Sequence, residues 1–303
     1  MKIVALRSDA VYRKMSAAPA GKREDIYRYE LMKPFEKKWA CYHIPLKAPQ
    51  KNGYDVVMAS RMAGILPPVQ VDETQSENIG QISSDEFWES CRDSLERSLR
   101  CFTGAGIDLP VQDYLFTVLL ADLENPYTRM NEGYCGDGGI PGYILGSLVP
   151  SEATLKRMPV ALAHEANHNV RFQFEKWRQD ITLAEMMVSE GLAENFAVSL
   201  YGEDQVGPWV SKTDRETLNN TIKPIIKNGL NKTGFDTITA YLYGDEMAKM
   251  QHYFPVVLPY CAGYACGYHL VKHYLKKTGR TIVEATLLPA AEIIKEAEDF
   301  WNA

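Results

Sequence analysis

The stretch VALAHEANHNVRF, residues 160–172, sets His164 and His168 four apart with Glu165 directly after the first. Residues four apart on a helix project from one face about a turn apart, so two imidazoles can address one ion. Zinc takes such nitrogens at roughly 2.0–2.1 Å. Glu165 lies about 100° further round the helix. That displaces it from the ligand direction yet leaves it able to reach a metal-bound water and take its proton during attack on a carbonyl. This is the H-E-x-x-H logic of metalloproteases.

A catalytic zinc needs a third protein ligand and an open position. The segment TLAEMMVSEGLAENFAVSLYG, from residue 182, supplies candidates. Its helical row Met187, Glu190, Glu194, Ala197, Tyr201 mixes carboxylates into an apolar stripe. A carboxylate facing a core is costly unless it is paired or bound to metal. Glu190 is the sharper choice because Gly191 follows it. A mid-helix glycine costs about 1 kcal/mol against alanine, and it is tolerated where the missing side chain lets the two helices approach closely. Glu194, one turn on, is placed to hydrogen-bond a ligating histidine from behind.

These side chains need elements to carry them. Ser83 and Glu86 have capping-box spacing and open a helix that Gly104 stops. YLFTVLLADLE reads as a strand by its β-branched and aromatic content. After a loop with several glycines, YILGSLV reads as a second strand with Gly146 as a weak point. The histidine helix follows, with Pro159 in its first turn. The next helix starts at Thr182, where Glu185 completes a capping box, and stops near Gly202. A last long helix runs through YCAGYACGYHLVKHYLKKTG to Gly279. Strands first and then mostly helices point to an α+β domain. Residues 1–75 read as an N-terminal region of their own, amphipathic and helical on either side of Pro34.

Composition excludes several alternatives. The formal net charge of the 303-residue chain is −6, which leaves no electrostatic footprint for nucleic acid. No stretch approaches the ~20 apolar residues of a membrane span, and MKIVALRSDAVYRK lacks the apolar core of a signal peptide. A cytoplasmic location is therefore expected, with the six cysteines reduced and Cys91, Cys261 and Cys266 as small core residues. A Cys-His nucleophile has no local signature here. His269 and His273 are also four apart, but they lack an intervening glutamate and lie beside Lys272 and Lys276, so they read as partly exposed helix residues. GYCGDGGIPG has no following Lys-Ser/Thr and is not a phosphate loop, and no G-x-S-x-G occurs.

HEANH followed by SEGLAENF resembles the gluzincin metallopeptidases, in which two histidines and a downstream glutamate hold zinc. More specifically, the chain resembles the YjaZ-like bacterial family of predicted zinc-dependent proteases, through YELMKPFEKKW, GGIPGYI, AHEANHNVRF, SEGLAENF and GYACGYHLVKHYL. The resemblance implies Zn2+ at His164, His168 and Glu190 with Glu165 as the base, although the gap from His168 to Glu190 is a little longer than in gluzincin aminopeptidases. It implies a thermolysin-like zincin catalytic domain over 76–303. A small mixed sheet and the histidine helix would occupy about 105–178 and a mainly helical part about 180–303, with residues 1–75 as a largely helical extension. In GYACG it matches Tyr264 and Gly267 to a Tyr-x-x-Gly whose tyrosine stabilises the oxyanion, though Tyr260, Tyr264 and Tyr268 also form a row that would pack one helix face. GGIPGYI stands where such enzymes have an edge strand, which makes Gly139 and Tyr143 candidates for pairing with an extended peptide. The implied activity is hydrolysis of a peptide or protein substrate. The rivals are a catalytically idle peptide- or metal-binding module of the same fold and a zinc hydrolase of a non-peptide amide or ester. The oligomeric state is left open.

Overall fold

A computed structural model describes residues 1–50, 53–176, 178 and 180–302. Its contacts fall into two compact units, residues 1–100 with 109–169, and residues 101–108 with 170 onward. The protein is α+β, mostly helical around a small mixed sheet.

The first unit contains the sheet. Its strands are β1 (Lys2–Ala5), β2 (Asp113–Leu120), β3 (Tyr134–Ile140) and β4 (Tyr143–Leu148), in the order β1-β2-β4-β3. β1 and β4 flank β2 in parallel, and β3 returns antiparallel to β4 at the sheet edge. The apolar run of β2 is buried along nearly its whole length, as a central strand requires. Sequence pattern locates β2 and β4 but misses the other two. β1 is four residues long, and β3 carries Gly136, Gly138 and Gly139, which intrinsic strand preference disfavours.

Helix α1 (Ser8–Ala17) is tied to β2: the Ser8 hydroxyl donates to the Val118 carbonyl, and the Tyr12 hydroxyl accepts from the Leu120 N–H at 3.1 Å. A short helix α2 (Glu36–Cys41) follows in the N-terminal region, and α3 spans Asp85–Gly104. The cap of α3 is Ser84, not Ser83: the Ser84 hydroxyl accepts from the Phe87 N–H at 3.1 Å. Ser83 is occupied one turn back, donating to the Ile79 carbonyl. The histidine helix α4 (Glu152–Phe174) starts seven residues before Pro159, so Pro159 sits in its interior rather than its first turn. The start is fixed by Ser151 and Thr154, which cap each other's N–H groups at 3.1 and 3.0 Å. A proline inside a helix removes one i→i−4 bond. The Ser94 hydroxyl of α3 donates to the Pro159 carbonyl there.

The second unit is helical. α5 (Leu183–Tyr201) opens with the Thr182–Glu185 capping box and ends at Gly202, which has φ of +105°. It packs with α6 (Lys223–Gly229), α7 (Phe235–Tyr243), α8 (Ala262–Thr278) and α9 (Ala290–Glu296) around a core that includes Met187, Leu192, Ile222, Ile238, Leu270 and Ile293. The close approach that Gly191 permits is to α8: a methyl group on Gly191 would overlap the Gly267 carbonyl, and one on Gly267 would overlap the Met187 carbonyl. Asn195 clips the same crossing, donating to the carbonyls of Gly191 (2.8 Å) and Tyr268 (2.9 Å). Among the described residues no helix is long and apolar enough to cross a membrane.

In an open helix, replacing glycine with alanine gains up to about 1 kcal/mol. Gly267→Ala should instead lose about 1–3 kcal/mol, because the added carbon meets backbone that cannot yield without moving α5. Urea unfolding checks the sign.

Candidate metal centre

His164 and His168 stand one turn apart on α4 with ring centroids 4.8 Å apart and Nε2 atoms 3.1 Å apart. Two ligands about 2.05 Å from a tetrahedral ion would be about 3.3 Å apart, so this spacing already suits a shared ion. Glu190 on α5 completes the group: one ligand atom from each of the three residues lies within 4.8 Å of the others. Among the described residues this is the one group of three or more histidine, cysteine or acidic side chains that could hold a metal ion. All three are buried, with 4%, 7% and 7% exposure. A pair of imidazoles and a carboxylate is a borderline-soft donor set that fits zinc.

Glu165 is equally buried, and strand β3 is built around it. A Cβ at Gly136 would collide with the Glu165 side chain, and one at Gly138 with its backbone. The glycines that hide β3 from a propensity reading are therefore what lets the strand lie directly on α4. Gly138 also donates its N–H to Glu165 Oε2 at 2.6 Å, which orients the carboxylate. One turn on, Asn169 fixes the rest of the hairpin. Its Nδ2 donates to the carbonyls of Gly138 (3.0 Å), Ile140 (2.9 Å) and Tyr143 (3.0 Å), and its Oδ1 accepts from the Gly142 N–H at 2.8 Å. Gly142 has φ of +86°, the left-handed region that favours glycine.

The N-terminal region brings further groups to this strand. Lys38 of α2, fully buried, forms an ion pair with Asp137 of β3 and stands over the rings of Trp39 and Tyr42. Burial works against the Asp137 charge, but the Lys38 ammonium outweighs it and holds the carboxyl below its usual range. The Tyr42 hydroxyl lies beside Gly139 and Asp137, and its pKa is driven up by burial and by the carboxylates of Asp137 and Glu165. Lys38, Tyr42, Asp137 and Asn169 all escape the sequence reading. A lysine and a tyrosine in an amphipathic helix look like surface residues, and nothing local announces a partner 99 residues away.

Gly139 lies on the edge strand, as expected, and Tyr143 begins β4 with its ring edge-on to Phe35. Glu194 is buried and places Oε1 on the Gly207 N–H (2.6 Å) and Oε2 on the Trp209 indole N–H (2.7 Å). Tyr264 is half-buried in the first turn of α8, its ring 5.6 Å from that of Tyr243. Its neighbour in the row, Tyr268, donates its hydroxyl to Glu203 at 2.9 Å. Gly267 serves the crossing with Gly191, which fixes the second turn of α8 one residue along α5 from Glu190. His269 and His273 are half-buried helix residues; His269 stacks edge-on against Tyr268 and His273 pairs with Asp299 at 3.2 Å.

A buried His-His-Glu group on an α+β scaffold defines a candidate metal-binding protein. Comparison with known proteins agrees. Residues 87–295 match the family described as predicted Zn-dependent proteases, DUF2268. The uncharacterized protein YjfC of Bacillus subtilis (strain 168) is 35% identical over 297 residues, 98% of each chain. The chain belongs to this family of predicted Zn-dependent proteases. No solved structure matches it.

Asn169→Ala should unfasten the hairpin that carries β3. Removing the buried hydrogen bonds of this side chain, in which two N–H groups are shared among three carbonyls and one N–H is accepted, should cost about 3 kcal/mol. The expected result is a lower urea midpoint with an unchanged slope.

Proposed function

We propose that the protein is a zinc-dependent peptidase of thermolysin-like zincin architecture. The observation that carries this reading is the convergence of His164, His168 and Glu190 within 4.8 Å, with Glu165 next to His164 in the chain and held by β3. Zinc held by these three residues would supply a Lewis acid for a peptide carbonyl and lower the pKa of a water. Glu165 would act as the proton carrier, accepting a proton from the attacking water and returning it to the departing amine nitrogen as the C–N bond breaks. An intact base in this position favours an enzyme over an idle metal-binding module, because holding an ion does not need it.

The substrate backbone lies along edge strand β3, adding a strand at Gly139, with Tyr143 flanking the turn. One feature supports this: β3 ends the sheet. Tyr264 donates its hydroxyl to the oxyanion, a role supported by its place one turn before the Gly267 crossing beside Glu190. Glu194 supports the ligand helix from behind by anchoring residues 207–209. The working compartment is the cytoplasm, where the six free cysteines would stay reduced. The partner is a peptide or protein, since the net charge of −6 offers nothing to nucleic acid.

Purified protein should carry one zinc per chain by elemental analysis, and His164→Ala with His168→Ala should remove it; full retention by the double variant would place the metal elsewhere. Glu165→Gln should keep the metal while kcat on a peptide library falls by roughly 10²–10⁴. In the same assay Tyr264→Phe should lower kcat by about 10²–10³ with KM little changed. Wild-type turnover by Glu165→Gln would exclude the glutamate as the base.

A further inference from the structure

The second unit carries a half-open cavity of about 760 Å³ whose described lining lies entirely within residues 171–301. Its walls come from the end of α4, the first turns of α5, the end of α6, helix α9 and the last turn of the chain. The size matches pockets that hold small organic ligands. Phe172, Leu230, Ile294 and Trp301 give it apolar walls, and Arg171 lies among them.

Arg171 is a guanidinium with only 3% exposure. Its Nη1 donates to the carbonyls of Thr286 (2.7 Å) and Leu288 (2.9 Å) and holds the turn that leads into α9. That leaves the N–H groups of Nε and Nη2, a parallel pair of the geometry that a carboxylate accepts in two bonds. Among the described residues, neither an ion pair nor a further acceptor engages them. The contrast is Arg178, also on the cavity wall, which pairs with Glu185 at 3.0 Å. Burial depresses the Arg171 pKa to about 10, against the smaller opposing effect of Glu175 and Glu185. An arginine buried with no carboxylate bonded to it bears a cost that an incoming anion would relieve.

We propose that this cavity binds a small organic carboxylate with an apolar body, the carboxylate docking on Arg171 and the body lying against Phe172, Leu230, Ile294 and Trp301. The described lining sets Arg171, Lys176, Arg178, Lys227 and Lys295 against Glu175, Glu185 and Glu298, a net positive wall that favours an anion, and its apolar side chains reward a hydrocarbon body rather than a bare ion. The inference stands apart from the peptidase reading, because none of these residues belongs to the metal group.

The test is calorimetric titration of the full chain with octanoate, with octanamide as the uncharged isostere and with inorganic phosphate. Octanoate should bind one per chain, octanamide about 10–100-fold more weakly, as loss of a charge-assisted bond predicts, and phosphate not at all over the same range. Arg171→Gln should weaken octanoate to the level of octanamide, but it also risks the turn that Arg171 holds. Ala184→Phe therefore carries the decisive arm: Ala184 lines the cavity and takes no part in the bonds of Arg171 to those carbonyls, and a phenyl ring there should abolish octanoate binding while circular dichroism and the melting transition persist. No saturable octanoate binding at millimolar concentration, equal affinity for octanamide, or wild-type affinity in the folded Ala184→Phe variant would overturn the proposal.

Discussion

His164, Glu165, His168 and Glu190 are all withdrawn from water, none more than 7% exposed. Burying two carboxylates beside two imidazoles is unfavourable unless positive charge and directed hydrogen bonds meet them. Much of the structure around them follows from that constraint. The Gly138 N–H meets Glu165, and the facing nitrogens of the two histidines, with Glu190 beside them, leave a place whose chemistry calls for a cation. A divalent ion held there would add to stability, since an ion that binds only the folded chain adds its binding energy.

Placing backbone this close to a functional helix requires glycine. At Gly136 and Gly138 the missing side chains let β3 rest on Glu165; at Gly191 and Gly267 they let two helices meet backbone to backbone beside Glu190. Each position gives up local preference, strand preference in the first case and helix preference in the second. In return the hydrogen-bonding groups and ligands are held by main chain, which has less freedom to drift than side chains do. Asn169 works in the same way, reaching from the histidine helix to four backbone groups of the hairpin.

The N-terminal region shares in this arrangement. Lys38 is buried against Asp137 on the edge strand, and Tyr42 sits beside Gly139. A lysine with no exposure is tolerated only with a partner, so this pair ties the first forty residues to the strand on which the substrate is proposed to lie. The same accounting separates Arg171 from the other buried cations. Lys38 has Asp137 and Arg28 has Asp55, whereas the bonds of Arg171 go to two neutral carbonyls.

By itself the sequence determined what depends on short-range periodicity. His164 and His168 four apart declare a shared face, the Thr182–Glu185 box and Gly279 mark helix ends, and the long apolar run of β2 declares a buried strand. Glu190 was legible too, because a carboxylate on an apolar stripe followed by glycine is a local anomaly. The cap of α3 and the start of α4 were each misplaced, by one residue and by about a turn and a half, because neighbouring serines compete for one cap and an interior proline resembles a first-turn proline until the preceding turn is seen. Only tertiary structure decided that Gly136 and Gly138 lie against Glu165, that Lys38 belongs with Asp137, and that Gly191 faces Gly267. The physical reason is common to all three. Each depends on a partner distant in the chain whose approach is set by packing, and packing leaves no periodic mark in either segment alone.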